Sequence, residues 1–91
     1  MSYTVAHDPA QHRFHVTVEG HDCVLEYHLN GQIMSIDHTV VPPAAGGRGI
    51  AAELTRVALA TARQQGWQVH PACSYADAYM RKHPDTADLR A

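Results

Sequence analysis

The feature that most constrains this chain is a period of two running from Phe14 to Ile36, broken only at two turn signals. Phe14, Val16 and Val18 alternate with His15, Thr17 and Glu19; Cys23, Leu25 and Tyr27 follow at the same spacing, then Met34 and Ile36. Alternation at this period puts the apolar set on one face of a strand and the polar set on the other. Gly20-His21 reads as a two-residue turn, which sets Val18 opposite Cys23, Val16 opposite Leu25 and Phe14 opposite Tyr27. Asn30-Gly31 is a type I′ signal, because both central residues of that turn need positive φ. Folding there sets Tyr27 opposite Met34, Leu25 opposite Ile36 and Cys23 opposite His38. Both turns deliver the same apolar face, so a three-stranded antiparallel meander is expected, with residues 1–11 as a loose lead-in. The other face carries His15, Glu26, His28, Ser35 and a solvated Asp37.

Beyond the meander the period changes. The third strand continues through Thr39-Val40-Val41 and stops at Pro42-Pro43, where two successive backbone donors are missing. After a glycine loop, Ile50, Leu54, Val57, Ala58 and Thr61 fall on one face at helical spacing, with Glu53, Arg56, Arg63 and Gln64 away from it. Gly66 supplies the stop. Residues 67–73 read as a short buried strand. Ser74-Tyr75-Ala76-Asp77 resembles a capping box that opens a second helix, which ends at His83-Pro84 before one further turn near Leu89. The expected class is α+β: a mixed, mostly antiparallel sheet with packed helices in the order β-β-β-α-β-α.

At 91 residues the chain is expected to form one domain over 1–91, burying about 60–65% of its unfolded surface. Its net charge of −2 argues against nucleic acid or an anionic membrane as partner, since both attract clustered positive charge. No apolar run approaches the roughly 18 residues a membrane span requires. The N-terminus has neither a basic nor an apolar leader region, and a cytoplasmic location is expected. Cys23 and Cys73 form no CxxC pattern, so both are expected as free thiols. Eight histidines raise the question of a metal, but none pairs at ligand spacing on a helix or strand, and no metal is expected.

Gly46-Gly47-Arg48-Gly49 lies between a strand end and a helix start. Glycines let backbone approach a ligand closely, and first-turn N–H groups with the helix dipole behind them attract an anion, above all a phosphate. Arg48 adds positive charge, and its glycine neighbours suggest a mobile side chain. A nucleotide P-loop would need Gly-Lys-Ser or Gly-Lys-Thr, where Gly49-Ile50-Ala51 stands. Gly47 to Ala52 matches the dinucleotide string GxGxxA, yet the acidic residue expected about 20 positions on is replaced by Val69-His70-Pro71. The pyrophosphate of coenzyme A fits both context and length. The plain alternative is a glycine-rich connection with no ligand.

Four segments in order, His38 to Pro43, Gly47 to Ala51, Pro71 to Tyr75 and Ala78 to Pro84, resemble the short GNAT acyltransferase-like proteins. They span more than half the chain. The resemblance implies acetyl-CoA as co-substrate, bound by Val40, Val41, Gly46, Gly47, Arg48, Gly49, Ile50 and Ala51, and an amine acceptor of unspecified identity. The superfamily's first loop position, Gln or Arg, falls here on Ala44, which implies weaker anchoring of loop or phosphate. Larger relatives carry N-terminal helices beside the acceptor pocket, which this chain lacks the residues to build. Tyr79 stands where relatives place a tyrosine acid for the departing thiolate. Cys73 stands at a strand end before a helix start, a position that favours thiolate; the resemblance to Pro-x-Cys implies an acyl-cysteine route, with direct transfer from CoA to the amine, or a small core residue, as the alternatives. His38 is a candidate base, expected on the face of Met34 and Ile36 and so partly buried. Cys23 is expected in the core. A CoA-binding sensor or partner module without catalysis is the alternative to an N-acyltransferase.

Overall fold

The computed structural model describes residues 3–91. Its strands are β1 (Ala6–Asp8), β2 (Arg13–Val18), β3 (His21–Asn30), β4 (Ile33–Val40) and β5 (Gln68–Pro71), with helices α1 (Ile50–Gln65) and α2 (Ser74–Lys82). Strand order across the sheet is β1-β2-β3-β4-β5; the first four are antiparallel and β5 joins parallel to β4. The α+β class and the meander are as expected. The lead-in is not loose, because Ala6–Asp8 pairs with Arg13–His15 as a fourth antiparallel strand.

Both hairpin registers differ from expectation by one turn residue. In the first, Glu19 and Gly20 are the central residues, at φ 49° and 80°, and Val16 pairs with Cys23 and Phe14 with Leu25. Positive φ at both positions is the type I′ pattern, which matches the twist of the flanking strands. In the second, Gly31 and Gln32 are central and only Gly31 has positive φ, the type II′ pattern. Tyr27 therefore pairs with Ile36 and Leu29 with Met34. Each register moves by two residues, so side chains keep their faces and the predicted core survives.

A bulge changes this further along. Tyr27 pairs with Ile36, but Glu26 pairs with His38, leaving Asp37 as the extra residue on β4. Two residues opposite one shift the parity of everything that follows. Thr39, not His38, now lies across from buried Leu25. His38 is exposed rather than partly buried, and it does not face Cys23.

Phe14, Leu25, Met34, Ile36 and Val69 are buried on one sheet face, where α1 packs with Ile50, Leu54, Thr55, Ala58, Leu59 and Ala62. The helix stripe is rotated from the predicted one, leaving Val57 and Thr61 half-buried. Thr55 is tolerated inside because its hydroxyl donates to the Ala51 carbonyl at 2.8 Å. Gly66 closes α1 in the left-handed conformation, as expected. Cys73, not Ser74, is the N-cap of α2; its carbonyl accepts from the Asp77 N–H at 3.0 Å, and its side chain makes no cap bond. A 3₁₀ turn over Pro84–Leu89 follows α2.

Candidate functional site

Strand β4 parts from one neighbour before the other. On the β3 side its pairing runs to Val40, whereas on the β5 side it ends at Ile36 with Pro71, followed by one bond from the Cys73 N–H to the Ile36 carbonyl at 2.8 Å. Among the described residues, Asp37 to Val40 have no strand partner on the β5 side. Unpaired strand backbone offers donors and acceptors to an extended ligand. Val40, half exposed at 51%, and the half-buried Val41 lead from this fork into the glycine loop.

The loop ends at Gly49, which caps α1 at φ 71°, a conformation side chains with a Cβ rarely adopt. A Cβ built on Gly47 or Gly49 would meet nothing within 4 Å, so the space over the loop is open. The first helical bond runs from the Glu53 N–H to the Gly49 carbonyl, 3.0 Å. The N–H groups of Ile50, Ala51 and Ala52 thus lack intrahelical partners, and no side chain among the described residues caps them from Gly49. Arg48 is not the free arm expected of it. Its Nη2 donates to Glu19 Oε2 at 2.6 Å, bridging the loop to the β2–β3 turn, and that bond raises the guanidinium pKa above its usual value.

The two helices start at the fork, and a groove of about 300 Å³ runs between them. Gly49, Ala52 and Arg56 line one wall, Tyr75, Tyr79 and Lys82 the other. Tyr79 is half-buried and stacks on His83 at 3.9 Å between ring centroids. Burial raises its pKa, with Arg56 opposing, so the phenol is held protonated. Cys73 ends β5's extension at the fork, half-buried, with its Sγ 3.7 Å from the Thr39 hydroxyl. Both cysteines are free thiols; Cys23 is wholly buried, and burial followed by Asp22 pushes its pKa up. The structure brings Gly49, Tyr79, Val41 and Cys73 around the fork and groove, while His38 points to the opposite sheet face with Glu26.

One group stands in a different environment from the one its sequence position predicts. Asp37, expected to be solvated, is half-buried and accepts from His28 Nδ1 at 2.7 Å and from the Ser35 hydroxyl at 3.0 Å. The alternation sets His28, Ser35 and Asp37 on one face, and the observed register, which pairs His28 with Ser35 rather than Ile33, brings the three together. Among the described residues no group of three or more His, Cys, Asp or Glu converges as metal ligands, and no helix is long and apolar enough to cross a membrane.

A profile of the family described as GCN5-related N-acetyl-transferase matches residues 13–89. The chain is similar to Protein NATD1 of Mus musculus, with 37% identity over 83 residues, covering 88% of this chain and 76% of that protein. Protein NATD1 of Homo sapiens is likewise 37% identical over 83 residues, covering 88% and 74%. In fold the chain resembles a GCN5-like protein from Staphylococcus aureus solved by NMR, with a TM-score of 0.77 at 20% identity over 98% of this chain and 88% of that one.

Proposed function

Because the chain belongs to the GCN5-related N-acetyltransferase family, we propose that it binds acetyl-CoA in the β4–β5 fork and transfers the acetyl group to an amine. The observation that carries this is the early end of β5 pairing at Ile36, together with a start of α1 that no side chain caps. The pyrophosphate sits on the N–H groups of Ile50, Ala51 and Ala52, over the loop Gly46 to Gly49, where dipole and donors converge. The pantetheine arm passes between α1 and α2 and pairs with the free backbone edge from Asp37 to Val41, including Val40. Arg48 supports the loop through Glu19 and adds positive potential nearby.

The thioester then lies within reach of Cys73. The Cys73 thiol releases its proton to solvent and the thiolate attacks the acetyl carbonyl; the carbon–sulfur bond to CoA breaks, and the departing CoA thiolate takes the proton of Tyr79, whose phenolate is restored by a proton from solvent. His38, turned to the far face by the bulge, stands across the fork from both.

Calorimetry with acetyl-CoA, CoA and NAD in parallel tests the site. Acetyl-CoA and CoA are expected to bind and NAD to give no heat. Gly49→Asp places a negative side chain beside the pyrophosphate and is expected to abolish binding while the circular dichroism spectrum stays that of the parent. Unchanged affinity in the folded variant would remove the phosphate from this loop.

A further inference from the structure

The sheet face away from α1 carries a second arrangement that the proposed donor site does not use. We propose that His28, held by Asp37, is the base that deprotonates the acceptor, and that the cavity beside it docks a primary amine on an alkyl arm. This rests on the acetyl-transfer reading above.

The cavity, about 470 Å³, crosses three strands: His28 on β3, Ser35 and Asp37 on β4, His70 on β5, and Ala72 just beyond it. Ile33, 40% exposed, gives it an apolar margin on which an alkyl chain can lie. The volume falls within the range of about 300–1,000 Å³ usual for small-molecule sites. Most surface His–Asp pairs are loose, but this one is anchored. Ser35 is 6% exposed and donates to one Asp37 oxygen, which leaves the other to accept from His28 Nδ1 at 2.7 Å. A carboxylate accepting from Nδ1–H fixes the neutral tautomer whose lone pair is on Nε2. The His28 side chain is 59% exposed, so that nitrogen is open to a ligand while the opposite edge is held.

The fork connects this cavity to the donor side. Asp37 is the bulge residue at the point where β4 loses β5. Ala72 lines the open-face cavity, and the next residue, Cys73, has its thiol against Thr39 on the helix side. Residues 72 and 73 therefore border both sides of one gap, acyl carrier on one side and base on the other. His38 is close in sequence but pairs opposite Glu26 and does not line the cavity.

The chemistry needs such a base. An alkyl amine has a pKa near 10.4, so at neutral pH nearly all of it is protonated and cannot attack. His28 Nε2 takes one proton from the ammonium, and the freed nitrogen lone pair forms a bond to the acetyl carbonyl carbon. The carbon–sulfur bond to Cys73 breaks with its electron pair going to sulfur, which takes the second proton that the nitrogen sheds; the products are an amide and a thiol. Asp37 touches neither reactant and is a positioning residue.

The test uses two nucleophiles at neutral pH: Nα-acetyl-lysine amide, which must lose a proton, and hydroxylamine, whose nitrogen is already unprotonated. Rates above the protein-free background are read by chromatography of the acetylated products in the parent, His28→Gln, Asp37→Asn and His38→Gln. General-base loss is typically worth about 10²–10⁴, so His28→Gln should slow the lysine probe about 100-fold. Asp37→Asn should slow it by a smaller factor. Hydroxylamine should react at the parent rate in His28→Gln, which also shows that the fold and donor site are intact. Added imidazole should restore the lysine reaction in His28→Ala. Equal slowing of both nucleophiles, an unchanged lysine rate in His28→Gln, or a loss confined to His38→Gln would overturn the proposal. A parent that acetylates hydroxylamine but not the lysine probe would overturn the amine assignment alone. A parent that neither binds acetyl-CoA nor reacts with either nucleophile would overturn the acetyl-transfer reading itself.

Discussion

On its β3 side β4 is paired from Ile33 to Val40; on its β5 side it is paired only from Ile33 to Ile36. The first side belongs to a continuous antiparallel sheet whose inward residues are sealed under α1. The second opens after four residues and leaves backbone, loop and thiol reachable. The two cysteines record the same contrast. Cys23 sits opposite Val16 with no exposed surface, and burial raises its pKa. Cys73 sits where the fork opens, half-buried and against a hydroxyl. Stability and reactivity are thus assigned to opposite edges of one strand, as expected where a rigid sheet positions an irregular binding edge.

The sharpest way to break this contrast is to ask which thiol carries acetyl. Incubation with acetyl-CoA followed by intact mass and peptide mapping should place the adduct on Cys73. Cys73→Ala should remove it entirely and Cys23→Ala should leave it in place. Iodoacetamide should also modify Cys73 first, with CoA protecting it. An adduct on Cys23, or labelling of both thiols unaffected by CoA, would return Cys73 to a packing role.

Stability should divide the other way. Phe14 is fully buried in the closed region, so Phe14→Ala should cost about 3–5 kcal/mol of unfolding free energy. Val40→Ala, at a position 51% exposed beside the fork, should change it by no more than about 0.5 kcal/mol. Urea titrations of both variants decide the matter, and comparable losses would mean that the fork is as tightly packed as the meander.

The smallest effect concerns pH. In the closed region His7 stacks on Phe14 at 4.2 Å, and its Nε2 is hydrogen-bonded to the Tyr27 hydroxyl at 2.6 Å. Burial lowers its pKa below 6.5, with Asp8 opposing and His12 reinforcing the shift. The unfolded chain therefore binds a proton at His7 that the folded one resists, so the stability His7 contributes is present above pH 6.5 and lost as pH falls through the folded value. The carboxylates held low by arginine partners, Glu53 and Asp88, start from 4.5 and 3.8 and act only in more acidic solution. The parent's urea midpoint should fall between pH 7 and pH 5, and His7→Gln should flatten that decline. An identical slope in the variant would show that another group governs it.

Much of the closed region was readable in the amino-acid order. The alternation named Phe14, Val16, Cys23, Leu25, Tyr27, Met34 and Ile36 as one face, and all are buried. Each turn lies one residue from where the sequence alone puts it, yet the faces are the same because both registers differ by two. Glu19 at positive φ was hard to foresee, since a side chain with a Cβ disfavours that conformation. In the candidate site, the glycine loop between strand and helix was legible because Gly46, Gly47 and Gly49 are a local chemical signal. The Arg48–Glu19 pair was not, because it joins residues 29 apart across the sheet.

Local chemistry thus dictates which residues turn inward, between which strands the chain turns and where α1 begins: side-chain period, φ preference and missing N–H donors act within a few residues. The β3–β4 register with its bulge at Asp37, the end of β5 pairing at Ile36, and the approaches of His28 to Asp37 and of Cys73 to Thr39 were decided by assembly. The end of β5 pairing depends on how β5, entering parallel after a 16-residue helix, lies along β4 once α1 has packed on the sheet. Strand pairing of that kind is a balance of contacts between distant segments, and the same short stretch of sequence is compatible with more than one register until those segments meet.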